Sequence, residues 1–243
     1  MARVNFILLS QPRSGSTFLM SNLVTSKHVF CDNELFNPLK ICRHEAKNDN
    51  FNIIFRENNP LDFFDKYFTS DFSKQFDAIG FKFMLGHHVE ILMKLLDDIN
   101  IKIIFLKRTN KLALASSWFK ALETQTWASF KETQHIEKLN FHYGKYIQKI
   151  RESETLDFLL ERNLAGRDNL LRLNYTDLFN LSYVFDKISC FLEIKNDFRV
   201  SNILKKQGSL DILSRFKERD KVLEFLHSIK HNDWRTEERI CSL

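Results

Sequence analysis

Residues Val4 to Thr17 constrain this chain most, because an apolar run, Val-Asn-Phe-Ile-Leu-Leu, passes directly into Gln11-Pro-Arg-Ser-Gly-Ser-Thr17 and then into an amphipathic segment. The pattern predicts a buried strand, a tight loop and a helix. Gly15 permits torsions and close approaches that a side chain would forbid. The first N–H groups of the following helix have no internal partners and sit at the positive end of its dipole, so the loop favours an anion. Arg13 adds a guanidinium that can fork two oxygens, and Ser14, Ser16 and Thr17 add hydroxyls. A helix cap would account for one Ser or Thr. Arg beside Gly with three hydroxyls exceeds what a cap requires. The loop is no ordinary ATP-type P-loop either, since no Lys follows the glycine and the spacing is shorter.

Strand and helix signals alternate along the rest of the chain. Leu19, Leu23 and Val24 share one face after Thr17. Cys31 to Asp77 mixes Asn, Asp and Phe with Pro38 and Pro60, which predicts loops and short helices. Ala78–Met84 alternates Ile79, Phe81 and Phe83 against Gly80, Lys82 and Met84 as a strand does, and a helix is expected from Val89 to about Asp98. Ile101–Leu106 is a second buried strand, and Lys111–Leu122 carries Leu112, Ala115, Phe119 and Leu122 at helical spacing. Thr133–Arg162 reads as helical, Leu170–Leu173 as a short strand, Leu181–Leu192 as a helix. Val222, Phe225, Leu226 and Ile229 form a late apolar face. The expected fold is α/β: one domain over residues 1–243, with a P-loop-like central parallel sheet flanked by helices on both faces.

Bulk properties agree with a globular chain. The 243 residues suit one such domain, and 44% hydrophobic against 28% charged residues excludes a disordered chain. The net charge of +5 suits a small anionic ligand. No aromatic-basic stripe of the kind RNA binders use is present, so no nucleic-acid partner is expected. The N-terminal apolar run is too short for a signal peptide, and no stretch approaches the ~20 apolar residues of a membrane span, so a cytoplasmic protein is expected. Cys31, Cys42, Cys190 and Cys241 are scattered without a C-x-x-C pair, which predicts reduced thiols and no metal site.

Ligands of parallel sheets bind at the carboxyl ends of strands. After Ile101–Leu106 come Lys107-Arg108-Thr109-Asn110, and Ser116 lies eight residues beyond Arg108. An Arg at a strand end and a Ser one to two turns into the next helix can converge on a second phosphate. Taken alone, a helix-start salt bridge accounts for the same Arg.

Together the two elements resemble the sulfotransferases that use 3'-phosphoadenosine 5'-phosphosulfate (PAPS), in particular the bacterial carbohydrate branch with its trehalose and nodulation-factor enzymes. The resemblance implies that Gln11, Pro12, Arg13, Ser14, Gly15, Ser16 and Thr17 hold the 5'-phosphosulfate, and that Arg108 and Ser116 hold the 3'-phosphate. The stretch Arg108-Thr-Asn-Lys-Leu-Ala-Leu-Ala-Ser-Ser-Trp-Phe-Lys-Ala121 is similar to that branch almost throughout, and Trp127 adds to it. Leu173-Asn-Tyr-Thr-Asp-Leu178 resembles a segment whose Tyr, here Tyr175, lies near the adenine, with Thr176 replacing the usual acidic residue. Lys205, Lys206 and Gln207, followed by Gly208, resemble a basic loop that closes over the nucleotide. Nothing between Ile53 and Asp77 matches.

The activity implied is in-line sulfuryl transfer from PAPS to a hydroxyl of a carbohydrate or glycolipid, leaving 3',5'-adenosine bisphosphate, with the acceptor bound by variable insertions near 31–77 and 124–146. Arg13 stands where the cytosolic animal enzymes have Lys and acts electrostatically, since a guanidinium does not readily donate its proton. For the general base the branch points to Glu34, in Cys31-Asp-Asn-Glu-Leu-Phe36, with Asp32 close by. His87 and His88 are the alternatives, since the cytosolic enzymes use a His at a strand end, although here the pair falls several residues late. Lys82 has two readings, facing the sulfonate or sitting on the solvent face of its strand. The other function classes are a P-loop-like kinase, which the missing Lys and the lack of an acidic strand end for Mg²⁺ disfavour, and a non-catalytic nucleotide-binding protein of the same fold.

Overall fold

The structure, a computed structural model, describes residues 3–43, 52–127, 138–201 and 209–237. Five strands form one parallel sheet: β1 (Val4–Ser10), β2 (Val29–Asp32), β3 (Ala78–Met84), β4 (Lys102–Lys107) and β5 (Leu170–Asn174), in the order β2-β3-β1-β4-β5. β1 lies at the centre, its Leu8 opposite Lys82 of β3 and Ile104 of β4. The α/β architecture and the parallel sheet match the sequence expectation.

The helices follow from how the chain moves across that sheet. α1 (Ser16–Leu23) carries it from β1 outward to β2, whereas α2 (Ile53–Asn58), α3 (Pro60–Thr69), α4 (Val89–Asp97), α5 (Lys111–Thr124) and α6 (Tyr143–Asn163) serve crossovers running the other way. Right-handed crossovers of opposite direction must lie on opposite faces. Accordingly, Leu19 and Leu23 of α1 pack with Phe6, Leu8, Ile104 and Leu106, joined by Val184 and Ile188 of α7 (Leu181–Leu192). On the other face Ile7, Leu9, Phe81, Phe83 and Phe105 meet Phe63 and Phe64 of α3, Ile91 of α4 and Leu160 of α6. Much of the chain's phenylalanine is spent here, with Phe36, Phe64, Tyr67 and Phe68 tilted or edge-on around Phe81. A third apolar cluster joins Leu112 and Ala115 of α5, Tyr146 and Ile150 of α6, and Val222 and Phe225 of α8 (Arg219–Ser228).

Two segments depart from expectation. Val29–Asp32, at the edge of the stretch read as loops, forms an edge strand; all four residues are buried, so no alternation marks them. The helix expected from Thr133 starts only at Tyr143, because Leu139 instead bridges to Phe216; residues 133–137 lie outside the described set. No helix among the described residues is long and apolar enough to cross a membrane.

β1 and β4 are neighbours whose following connections leave in opposite directions, one toward β2 and the other toward β5. Such a switch point opens a crevice at the carboxyl ends of the two strands. The loops carrying Arg13 and Arg108 border it.

Candidate functional site

The loop after β1 is built for close approach. Gly15 has φ of 89°, and a Cβ there would stand 2.8 Å from Cδ2 of Tyr175 and 2.9 Å from Cδ1 of Leu178. Arg13 is also left-handed, with φ of 68°. No side chain caps α1. The Ser14 hydroxyl is buried without a hydrogen-bond partner, as is that of Ser10. An uncapped helix start beside an unpartnered buried hydroxyl is a donor set that suits an anionic acceptor. Ser16 is buried as well, and Thr17 accepts a hydrogen bond from Lys82 Nζ at 2.8 Å. Gln11 is committed elsewhere: its amide donates to the Ser153 carbonyl at 2.8 Å and to Asp157, and accepts from Ser153 Oγ, tying the loop to α6. Pro12 is half-buried at the turn.

Arginines converge on the crevice. Arg13 donates through Nε to Ser117 Oγ at 2.9 Å and through a terminal nitrogen to the Trp127 carbonyl. Arg108 lies over the Tyr175 ring at 4.1 Å and donates to the Arg13 carbonyl at 2.9 Å. Its other two nitrogens fork onto Glu237, Nε to Oε1 at 2.5 Å and NH2 to Oε2 at 2.7 Å. Arg215 donates to Ser116 Oγ at 2.9 Å and stands 3.7 Å from Glu237 Oε2. Arg108 and Ser116 are thus joined through Arg215 and Glu237, neither of which the sequence singled out.

Burial, and after it the Arg108 charge, pull both Arg13 and Arg215 down to about 10, so both remain cationic at neutral pH. The Lys120 ammonium is likewise lowered, first by burial and then by Arg215 and Arg13. Four cations thus share a region in which Glu237 is paired with Arg108 and stands close to Arg215. Such a surplus attracts anions.

A second cluster adjoins the start of α1. Glu34 Oε1 lies 2.8 Å from Lys82 Nζ, its Oε2 accepts from Asn37 Nδ2 at 2.7 Å, and His87 Nε2 is 3.5 Å from Oε2. Lys82 is 1% exposed, so its solvent-face reading is excluded. It faces α1 because it shares β3's parity with Gly80, whose missing side chain lets β1 approach: a Cβ there would be 2.3 Å from the Phe6 carbonyl. Burial by itself raises the Glu34 carboxyl, but the charge and hydrogen bond of Lys82, with Asn37 and His87, outweigh it and hold Glu34 below the usual carboxylate range. His87 is lowered to about 4, chiefly by burial, with Lys82 and Arg56 adding to it against Glu34. Its Nδ1 accepts the Met84 N–H at 3.3 Å, which leaves the neutral ring's proton on Nε2, toward Glu34.

The remaining candidates separate. His88 lies edge-on to Phe36, its Nδ1 buried without a partner. Asp32 is paired with Arg43 at 3.0 Å. Lys205, Lys206 and Gln207 lie outside the described residues. Arg215 and Glu237 had no sequence signal, since neither follows a strand end or belongs to a short motif; Lys120 lies within the Arg108–Ala121 stretch but was given no role there.

Compared with known proteins, the chain matches no protein-family model and no curated sequence. Among solved structures it is similar to a sulfotransferase from Alicyclobacillus acidocaldarius, 16% identical over 97% of this chain and 100% of that one, with a TM-score of 0.48. At that identity and score the likeness carries no weight for activity.

Proposed function

We propose that the chain is a sulfotransferase that takes PAPS as donor substrate and sulfates a hydroxyl of a carbohydrate or glycolipid. The observation supporting this reading is that a donor-rich loop and an arginine cluster border the β1–β4 switch point, with an acid–cation pair beside the start of α1. The Gly15 loop, with its buried unpartnered Ser14 hydroxyl, would be one anion site. The Arg108–Ser116–Arg215 cluster would be the other, with Tyr175 between them.

The residues fit the donor. The Ser14 hydroxyl, the α1 amides and Arg13 would hold its 5' end, Arg108, Ser116 and Arg215 its 3'-phosphate, and Tyr175 its base. PAPS supplies an activated sulfuryl group whose departure leaves negative charge on a phosphate oxygen. The amides of Gly15 and Ser16 would stabilise that charge, and Arg13, held beside them by Ser117 and Trp127, would add a positive charge. Lys82, fixed by Thr17 and Glu34, adds a further positive charge beside the loop. Alignment and charge neutralisation account for most of catalysis in transfers of this kind.

Glu34 takes the acceptor proton. Its carboxyl is ionised at neutral pH and 18% exposed, open to an incoming hydroxyl. His87 supports it: with Nδ1 accepting from Met84 and the proton on Nε2, His87 donates toward Glu34 and has no free lone pair aimed at the site. The chain acts as one domain, with acceptor recognition in 31–77 and 124–146, where Trp127 stands half exposed beside Arg13.

Thermal-shift comparison of 3',5'-adenosine bisphosphate with ATP and Mg²⁺ tests the donor: stabilisation by the bisphosphate is expected, and preference for ATP refutes it. Transfer of labelled sulfonate onto sugars, glycolipids and phenols tests the acceptor. Turnover with phenols alone refutes the carbohydrate assignment.

A further inference from the structure

We propose that Glu237 is an internal stand-in for the ligand's phosphate, filling the Arg108–Arg215 clamp in the resting protein and leaving it when a phosphate anion arrives. The C-terminal segment then sets the affinity of the site. The inference rests on the reading of this clamp as an anion seat.

Glu237 is 3% exposed, and a carboxylate is buried only against strong partners. Arg108 supplies them in a forked arrangement, 2.5 Å to one oxygen and 2.7 Å to the other, with Arg215 3.7 Å from the second. A phosphate monoester would use the same two parallel N–H groups. The third nitrogen of Arg108 is already committed to the Arg13 carbonyl and its face to Tyr175, so the fork cannot serve two anions at once. Charge points the same way: a phosphate dianion brings more negative charge to Arg108 and Arg215 than the carboxylate it would replace.

The position of Glu237 suits departure. The chain before it is anchored, with the Trp234 and Thr236 carbonyls accepting from Asn110 Nδ2 at 3.1 and 3.0 Å and Thr236 bridging to Asp211. Beyond that bridge, the Glu237 N–H bonds the Leu210 carbonyl at 3.0 Å. The side chain can leave Arg108 while the segment up to Thr236 stays docked.

Calorimetric titration of the full chain with 3',5'-adenosine bisphosphate, adenosine 5'-monophosphate and inorganic phosphate tests this. Glu237→Gln is expected to bind the bisphosphate about tenfold tighter than the wild type, with affinity for the monophosphate unchanged, because a competitor for the competent state has been removed. Glu237→Asp, which keeps the charge on a shorter arm, should gain less, and it serves as the test if the Gln variant does not fold. Unchanged or weaker bisphosphate binding in the variants overturns the proposal and makes Glu237 an orienter of the two arginines. If the wild type does not distinguish bisphosphate from monophosphate, the nucleotide reading fails. Inorganic phosphate then decides: tighter binding to the variant sustains the stand-in, and equal or weaker binding overturns it.

Discussion

Lys82 Nζ lies 2.8 Å from Glu34 Oε1 and the same distance from Thr17 Oγ1, so one ammonium joins a carboxylate from the loop after β2 to the first turn of α1. Lys82 is almost wholly enclosed and Glu34 only partly. The pair therefore links the proposed base to the proposed donor loop through a single buried charge, and its parts can be separated by substitution.

Glu34→Gln should keep nucleotide affinity within twofold and lose turnover by roughly 10²- to 10⁴-fold, the usual worth of a positioned base. His87→Asn should lose much less. Steady-state sulfonate transfer beside calorimetric binding checks both, and a deeper loss in His87→Asn would transfer the base to the imidazole.

Removing Lys82 alone leaves a partly buried carboxylate without its cation. Lys82→Met should cost about 3 to 5 kcal/mol in stability, and the double variant with Glu34→Gln should recover a substantial part of that. Urea denaturation of the four proteins measures the coupling. Additive losses would mean that the pair is not coupled in solution.

The two proposed anion sites should respond differently to truncation. Ser14→Ala removes a buried hydroxyl with no partner, so stability should hold or rise while bisphosphate affinity falls by about 1 kcal/mol. Arg108→Ala strips Glu237 of its fork, so it should lose several kcal/mol of stability as well as bisphosphate affinity. Thermal melts with and without the bisphosphate separate the two effects.

Acid should weaken the fold through His87. Its value falls from 6.5 to about 4 on folding, so between these limits the unfolded chain binds more protons and stability drops as pH falls. The stability present above pH 6.5 should decline by up to about 3 kcal/mol by pH 4, with Glu34, also held low, adding to the loss further into acid. His87→Asn should flatten the upper part of that slope in urea titrations at stepped pH. An unchanged slope would mean that the imidazole is not buried as the neutral form.

The site was legible where its chemistry is local. Gly15 beside Arg13, and Arg108 with Ser116 beyond a strand, each lie within a few residues of a strand end, where sequence order alone implies which end of a parallel sheet they reach. Arg215 and Glu237 lie 107 and 129 residues after Arg108 and belong to no motif. Val29–Asp32 escaped because four buried residues show no alternation, and with it went the reason that Glu34 stands where it does.

What the sequence determined by itself was the alternation of strands and helices, the tight loop between β1 and α1 and the placing of its glycine, because backbone torsion, periodicity and helix-end polarity act over a few residues. The tertiary structure decided which side chains share a charge. It put Lys82 inside rather than at the surface, gave Gln11 to α6, turned His87 toward Glu34 as a donor and set Glu237 between two arginines. Those outcomes depend on burial and on partners brought together by the crossovers, and ion pairing in a low-dielectric interior is a property of that assembly rather than of any one segment.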